Sequence, residues 1–476
     1  MREGLLALVP LLLVAASCRV GVAMWGSCSV PPGGDSTGTD GTYVLVCRGG
    51  IWEPTMTNRE LLALAQGKRV TIAPLPKRPT TSPTTPPPTT TPQTTATPST
   101  TTPTSTTTTT TPPVPDSLIA TGFGFSCAAS DGAAKCWGAN NYGQLGAAIP
   151  GSETHVPTQV QGLTGGVTAI AAGYSHACAV VDGAAKCWGD NQFGQLGATT
   201  PGSQTPVPTQ VQGLTTGVTA ISAGRSFTCA VVDGAAECWG RNDLGQLGSG
   251  TAVASTLPTQ VQGLTTGVTA IAAGDDHACA VVGGAAKCWG FNDAGQLGDG
   301  AAGHSTNVPT QVHGLTTGVT AIATGTSHSC AVVAGAAKCW GQDDLGELGD
   351  DTVRSATDVP SQVHGLTSDV TAISAGDHTS CAVVAGAAKC WGWNYDGQLG
   401  NAAEVVGYSD SPVQVTGLLA GVTSVSTGPV GHFPIGAHTC AVVDRGIRCW
   451  GLNDTGQLGA PSVIYNSADP IVVPLT

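Results

Sequence analysis

The chain holds 17 cysteines, and fourteen of them recur as pairs nine positions apart. The pairs are Cys127/Cys136, Cys178/Cys187, Cys229/Cys238, Cys279/Cys288, Cys330/Cys339, Cys381/Cys390 and Cys440/Cys449. Cysteine can ligate zinc, carry a redox couple or form a disulfide. Zinc sites favour two to four residues between paired cysteines, against eight here. A redox couple is a single C-x-x-C, not seven copies of a wider spacing. The structural disulfide fits best. In CAVVDGAAKCWG, residues 178–189, a two-residue turn at Asp182-Gly183 sets Val181 opposite Ala184. Counting outward, Cys178 faces Cys187 at a non-hydrogen-bonded site, where Cα atoms stand about 4.5 Å apart. The same count centres on the turn in every copy. The last, Asp444-Arg445-Gly446, moves its glycine one place. That shift suggests a bulged turn, which would put Cys440 and Cys449 out of register.

The other reactive side chains point to structure rather than catalysis. His176, His277, His328 and His438 recur two residues before a cysteine, at one equivalent position. A catalytic or metal-binding histidine needs no four copies, so packing or hydrogen bonding is the expectation. The tryptophans before each glycine are expected to fill space between repeats. Asp343-Asp344 and Asp350-Asp351 lack the D-x-D-x-D spacing of a calcium loop and read as solvated loop. No G-x-S-x-G, H-E-x-x-H or P-loop pattern occurs, and nothing calls for a cofactor.

The elements that hold these residues repeat. Cys-Trp-Gly occurs seven times, with tryptophan at 137, 188, 239, 289, 340, 391 and 450. Each unit reads as a β-branched strand (Val167–Gly173), a hairpin (Cys178–Trp188), a loop (Asn191–Gly197) and a closing strand (Pro208–Leu214). Four short strands per fifty residues, without helical periodicity, predict radially arranged four-stranded sheets. The expected fold is an all-β, seven-bladed propeller over residues 116–476. The stretch VTAIAAGYSHACAVVDGAAKCWGDNQFGQLG resembles the regulator of chromosome condensation repeat, and the likeness extends over all seven units. The resemblance implies a seven-bladed propeller. The family's founder is a nucleotide exchange factor that binds chromatin, but no insertion here could serve as an exchange wedge. Secreted bacterial relatives include a β-lactamase inhibitor, which implies that the scaffold can bind enzymes.

Upstream lie three further segments. Residues 1–23 read as an export signal, with Arg2 ahead of the apolar stretch Leu5–Ala16. Ala15-Ala16-Ser17-Cys18 resembles a lipoprotein box with Cys18 lipidated, while Gly21-Val22-Ala23 suits ordinary cleavage, and an uncleaved anchor is the third reading. All three place the chain in the bacterial envelope or outside the cell, where disulfides persist. Residues 24–78 suggest a small domain: a strand at Tyr43–Cys47, a return strand from Ile51, a helix at Asn58–Gln66 and a Cys28–Cys47 bond. Residues 79–115 are Thr/Pro-rich and predict a disordered linker, glycosylated or bare.

Charge narrows the partners. From Asp116 onward, 10 Lys and Arg oppose 26 Asp and Glu, a balance of −16. Nucleic acid and anionic membrane surfaces are therefore excluded, apart from membrane attachment through an N-terminal lipid or anchor. The propeller is expected to be monomeric.

A four-stranded blade puts its first and third loops on one face and its hairpin turn and inter-blade connection on the other. Within this chain the hairpin turns (DGAAK, GGAAK, AGAAK) and connections (GLTTGV, GLTGGV, GLTSDV) barely change, whereas the first and third loops vary. The variable positions offer the side-chain types that anchor interfaces. They are Tyr142, Tyr174, Phe193, Arg225, Arg241, Asp275, Asp276, Phe291, Asp377, His378, Trp393, Tyr395 and Phe433. The expected function is a non-catalytic display scaffold whose variable face meets a protein or glycan. The alternatives are a secreted inhibitor of an extracellular hydrolase, or an enzyme with clustered carboxylates or histidines in a central channel.

Overall fold

Each fifty-residue unit forms four consecutive antiparallel strands, hydrogen-bonded in chain order. In the second unit these are Val167–Ala172, His176–Val181, Ala184–Gly189 and Thr205–Gln210. Seven such sheets make up the propeller. The structure is a computed structural model. It describes residues 37–39, 43–48 and 51–57, and 117–475 apart from 148–150, 152, 199–201, 203, 354–355, 402–406, 430–436 and 461–464. The chain divides into two units, Met1–Thr111 and Pro112–Thr476. In the first, Thr37–Thr39, Tyr43–Arg48 and Ile51–Thr57 form one antiparallel sheet, which matches the expected strands at 43 and 51. The signal segment, Cys18, Cys28 and its bond to Cys47, the helix at 58–66, the linker and Phe433 lie outside the described residues.

The hairpins carry the predicted register. Asp182 (φ 50°) and Gly183 (φ 79°) form a two-residue turn with both residues left-handed, so Val181 pairs with Ala184 and Cys178 with Cys187. All seven disulfides form: Cys127–Cys136, Cys178–Cys187, Cys229–Cys238, Cys279–Cys288, Cys330–Cys339, Cys381–Cys390 and Cys440–Cys449. Their Cα atoms stand 4.0–4.1 Å apart, closer than the spacing expected of an unlinked pair. The expected bulge in the last unit's turn is absent. Asp444 (φ 50°) and Arg445 (φ 69°) make the same two-residue turn, Val443 pairs with Gly446, and Cys440 stays opposite Cys449. Here Arg445, not a glycine, adopts the left-handed conformation.

Irregularity lies instead on both flanks of the hairpin. On the inner flank the register shifts near the start of the first strand in six blades, as between Val167 and Ala169, and on the outer side it shifts beside the second cysteine of every pair. Against the closing strand, the register shifts between Cys136 and Gly138, Cys187 and Gly189, and Cys238 and Gly240. It shifts likewise between Cys288 and Gly290, Cys339 and Gly341, Cys390 and Gly392, and Cys449 and Gly451. In the first blade Cys136 faces Thr158 while Gly138 faces Thr154, so the closing strand bulges. The sequence reading of plain strands missed this, although proline marks the place. Pro157, Pro208, Pro258, Pro309, Pro360, Pro412 and Pro470 each precede the residue that faces the second cysteine. Proline brings no N–H to the ladder, so it is confined to an edge strand or a bulge. The closing strand also runs earlier than expected, over Thr205–Gln210 rather than 208–214, and Leu214 is buried in the connection.

Blades join through the tryptophans. Each is fully buried, and its indole N–H donates to a backbone carbonyl one blade back, as in Trp188 to Gln144 and Trp239 to Gln195 (2.8 and 2.9 Å). Trp137 closes the ring onto Gln457 at 2.8 Å. The buried histidines add a second tie. His176 Nε2 meets Thr228 Oγ1 at 2.9 Å, and His438 Nε2 meets Ser126 Oγ at 2.7 Å, each across a blade joint. Because Thr228 donates its own proton to the Gln195 carbonyl at 2.8 Å, His176 must be the donor and hence the Nε2–H tautomer. Burial pushes His176 down to about 3, so the ring is neutral.

Candidate functional site: the variable face of the propeller

The first and third loops of each blade are bonded together on one face. Asp190 N donates to Ser175 O (2.8 Å), Phe291 N to Asp276 O (2.9 Å) and Trp393 N to His378 O (2.8 Å). The glycine before each of these residues lets the loops touch: at Gly189 a Cβ would lie 2.6 Å from Ser175 O. On the opposite face the connection meets the hairpin turn, as in Val218 N to Gly183 O (3.0 Å).

The innermost strands set the axis. Alternate side chains share one face of a strand. Ile271, Ala273 and Asp275 therefore share one face, as do Ile322, Thr324 and Thr326, and all six line a central cavity of about 270 Å³. The repeat thus stacks three layers: isoleucine deep, alanine or threonine above it, and one variable residue at the mouth.

Two sectors of that mouth differ in chemistry. One is aromatic and cationic. Phe123 and Tyr174 stack at 4.3 Å, and Arg225 lies 5.4 Å above the Tyr174 ring. Further out, Arg241 covers Phe193 at 6.0 Å and donates to Asp243 (2.6 Å) and Asp276 (2.9 Å). Arg241 is thus a bracket between the third and fourth blades, and Asp276 is its partner. Tyr142 and Phe193 stand at loop tips, 44% and 38% exposed, each with its backbone N–H held by the glutamine two residues on (2.9 Å). Phe291 is half-buried beside Asp276.

The other sector is acidic. Asp275 and Asp377 are 9% and 8% exposed at the cavity mouth. Burial, reinforced by the Asp377 and Asp276 charges, pushes the Asp275 carboxyl up to about 7, while Arg225 and the Thr326 hydroxyl pull it down. His378 Nδ1 meets Glu347 Oε1 at 2.7 Å, and its Nε2 faces Asp377 Oδ2 at 3.4 Å. Burial opposes the imidazolium, but the two carboxylates outweigh it and raise His378 to about 9. His378 stacks against Trp393 at 5.7 Å, and Trp393 meets Tyr395 edge-on at 6.4 Å, leaving Tyr395 51% exposed.

Three site residues escaped the sequence reading. Glu347 occupies a position where the other six units carry glutamine, and that single departure was its signal. Phe123 is the first-blade counterpart of Tyr174. Thr324 lay inside a strand whose inward face shows only once the ring is closed. Asp343 corrects an expectation: it is fully buried in the asparagine position of its loop and accepts from Leu348 N at 3.2 Å.

Comparison with known proteins agrees with this geometry. The regulator of chromosome condensation (RCC1) repeat matches residues 131–180, 182–231, 233–281, 288–332 and 338–383, and a second form of the repeat matches 167–195. The chain belongs to the RCC1 repeat family. It is similar to the ultraviolet-B receptor UVR8 of Arabidopsis thaliana, 30% identical over 382 residues, which covers 77% of this chain and 83% of the receptor. It is 38% identical over 135 residues to human E3 ubiquitin-protein ligase HERC2, covering 27% of this chain and only 3% of the ligase. Among solved structures, Prp20p of Saccharomyces cerevisiae superposes with a TM-score of 0.60 at 20% identity, over 72% of this chain and 86% of that one. That likeness shows the fold alone. RCC1-type propellers are mostly protein-binding or exchange-factor proteins.

Proposed function

We propose that this RCC1-type propeller is an exported, non-catalytic scaffold whose variable face binds a protein. One observation carries the reading: differences among the seven units concentrate on the face formed by the first and third loops. There Tyr142, Phe193 and Tyr395 stand exposed on loops whose backbones are pinned by buried glutamines. Rigid aromatic side chains lose little entropy on binding, which suits them as anchors. Seven disulfides suit a compartment that keeps thiols oxidised. The solved structure of Prp20p is described with its binding to Gsp1p and histones, so a propeller of this kind can serve as a protein-docking body.

Capture from culture supernatant and cell envelope tests the reading. Tyr142→Ala/Phe193→Ala/Tyr395→Ala truncates exposed side chains only and is expected to lose the captured protein. Leu419→Ala, 69% exposed in the connection on the opposite face, is the control expected to retain it. An identical captured set from wild type and the triple variant would overturn the proposal.

A further inference from the structure

The central cavity holds polar groups that the fold leaves unmatched. Around the inner ring, hydroxyls bridge neighbouring blades: Thr121 Oγ1 meets Ser426 Oγ at 2.8 Å, and Thr427 Oγ1 meets Ser374 Oγ at 2.9 Å. In each, the threonine of one blade finds a serine one blade back. The position that would serve Thr324 is occupied by Ala272, which has no hydroxyl. Thr324 lines the cavity, is 9% exposed, and its hydroxyl has no hydrogen-bond partner. One layer nearer the mouth, on the same stripe and the next, lie Thr326 and Asp275. Asp275 is as deeply buried and has no cation within 4 Å among the described residues, since Arg241 pairs with Asp276 and Arg225 covers Tyr174.

A carboxylate and two hydroxyls around one corner of a cavity match a compact cation with three N–H donors better than a planar guanidinium. Below them the wall turns apolar. Ile322 lies two residues inward from Thr324, and Ile271 two residues inward from Ala273, roughly 7 Å along a strand at about 3.3 Å per residue, so a short tail from an ammonium beside Thr324 extends towards the isoleucine side chains. We infer that the cavity is a binding site for a small primary amine with a short apolar tail. The ammonium bonds to Asp275, Thr324 and Thr326, and the tail lies along Ile271 and Ile322. The proposal concerns the channel and does not depend on a protein partner for the outer face.

The test is a methyl NMR titration of the full chain, labelled at isoleucine and threonine, with n-butylammonium and with n-butanol. Saturable shifts are expected at Ile271, Ile322 and Thr324 with the ammonium, and binding at least tenfold weaker with the alcohol. Asp275→Asn is expected to weaken n-butylammonium at least tenfold. Ala272→Ser, which supplies the missing interblade partner, is expected to weaken it about three- to tenfold without touching the carboxylate. Equal affinity for the alcohol, shifts at other methyls, or unchanged binding in both variants would overturn the site. None of these outcomes bears on protein capture by the outer loops.

Discussion

His378 Nδ1 lies 2.7 Å from Glu347 Oε1 across the joint between the fifth and sixth blades. The other units carry glutamine at the place of Glu347, and its amide oxygen accepts a loop N–H, as Gln195 does from Phe193. Glu347 keeps that role through Oε2, which accepts from Leu345 N at 2.8 Å. Its second oxygen replaces an amide donor with an acceptor. His378 supplies the donor, and burial brings the two charges together away from water. Glu347 is held below its usual range: burial works against its charge, but the bond and charge of His378 win.

Glu347→Gln is therefore expected to drop the His378 titration from about 9 towards or below its ordinary value, readable by NMR of the imidazole. A histidine raised in the folded state contributes stability that is complete below pH 6.5 and is lost as pH rises through about 9. The variant should lose about 1–3 kcal/mol at pH 6 and much less at pH 10. A stability difference that does not change with pH would contradict the pair.

The four buried histidines predict acid lability. The unfolded imidazole gains its proton near 6.5, but folded His176 only near 3. Between those values the unfolded state binds more protons, so stability present above pH 6.5 is lost as pH falls. At pH 4 each such ring forfeits up to about 3 kcal/mol, at about 1.36 kcal/mol per unit. Phe125 and Phe227 occupy the equivalent position, fully buried. His176→Phe should therefore fold, leave Thr228 bonded to Gln195, and melt several degrees above wild type at pH 4.5 but not at pH 8. Equal melting shifts at both pH values would argue against a neutral buried ring.

Fold and site were legible to different degrees. The hairpin cysteines could be read because a two-residue turn and a period of two fix which residues face each other. The variable face could be read because strand parity assigns loops to faces without any coordinates. The bulge beside Cys136, Cys187 and their counterparts broke that parity on the closing strand, where the proline before the facing residue was the overlooked sign. Partnering could not be read at all. Arg241 looked like an exposed anchor, yet it binds Asp243 and Asp276, and Asp276 lies in the next blade. Asp343 looked like solvated loop because Asp-Asp usually is, whereas a capping position buries it. The Thr324 cavity wall depended on which residue stands one blade back, a relation about fifty residues away in sequence.

The turns offer a local test. Arg445 holds φ 69° where six units place glycine, at φ 76° to 80°. Ala334 and Ala385 sit at φ 50°, where four of the other five units have aspartate. A side chain without a local hydrogen-bonding group is strained there. Arg445→Gly, and Ala334→Asn with Ala385→Asn, are each expected to stabilise the propeller by about 0.5–1 kcal/mol per site in denaturant unfolding. Lower stability in both would mean that the backbone at these turns is not left-handed.

Disulfide removal separates the covalent clamp from the hairpin that carries it. Each bond closes about ten residues, worth about 2–3 kcal/mol if the unfolded chain were otherwise free. But Cys178 and Cys187 sit in a ladder running from Val181–Ala184 to His176–Gly189, which pairs around the tight turn without the bond. Cys178→Ala/Cys187→Ala is therefore expected to cost about 1–2 kcal/mol, with the trimmed sulfurs leaving a small void in a fully buried site. Reduction under denaturing conditions should add two hydrogens per bond, 14 Da for the seven bonds of residues 116–476. Thiol-specific alkylation of the native, unreduced propeller would refute the assignment, because buried disulfides offer no thiolate to react.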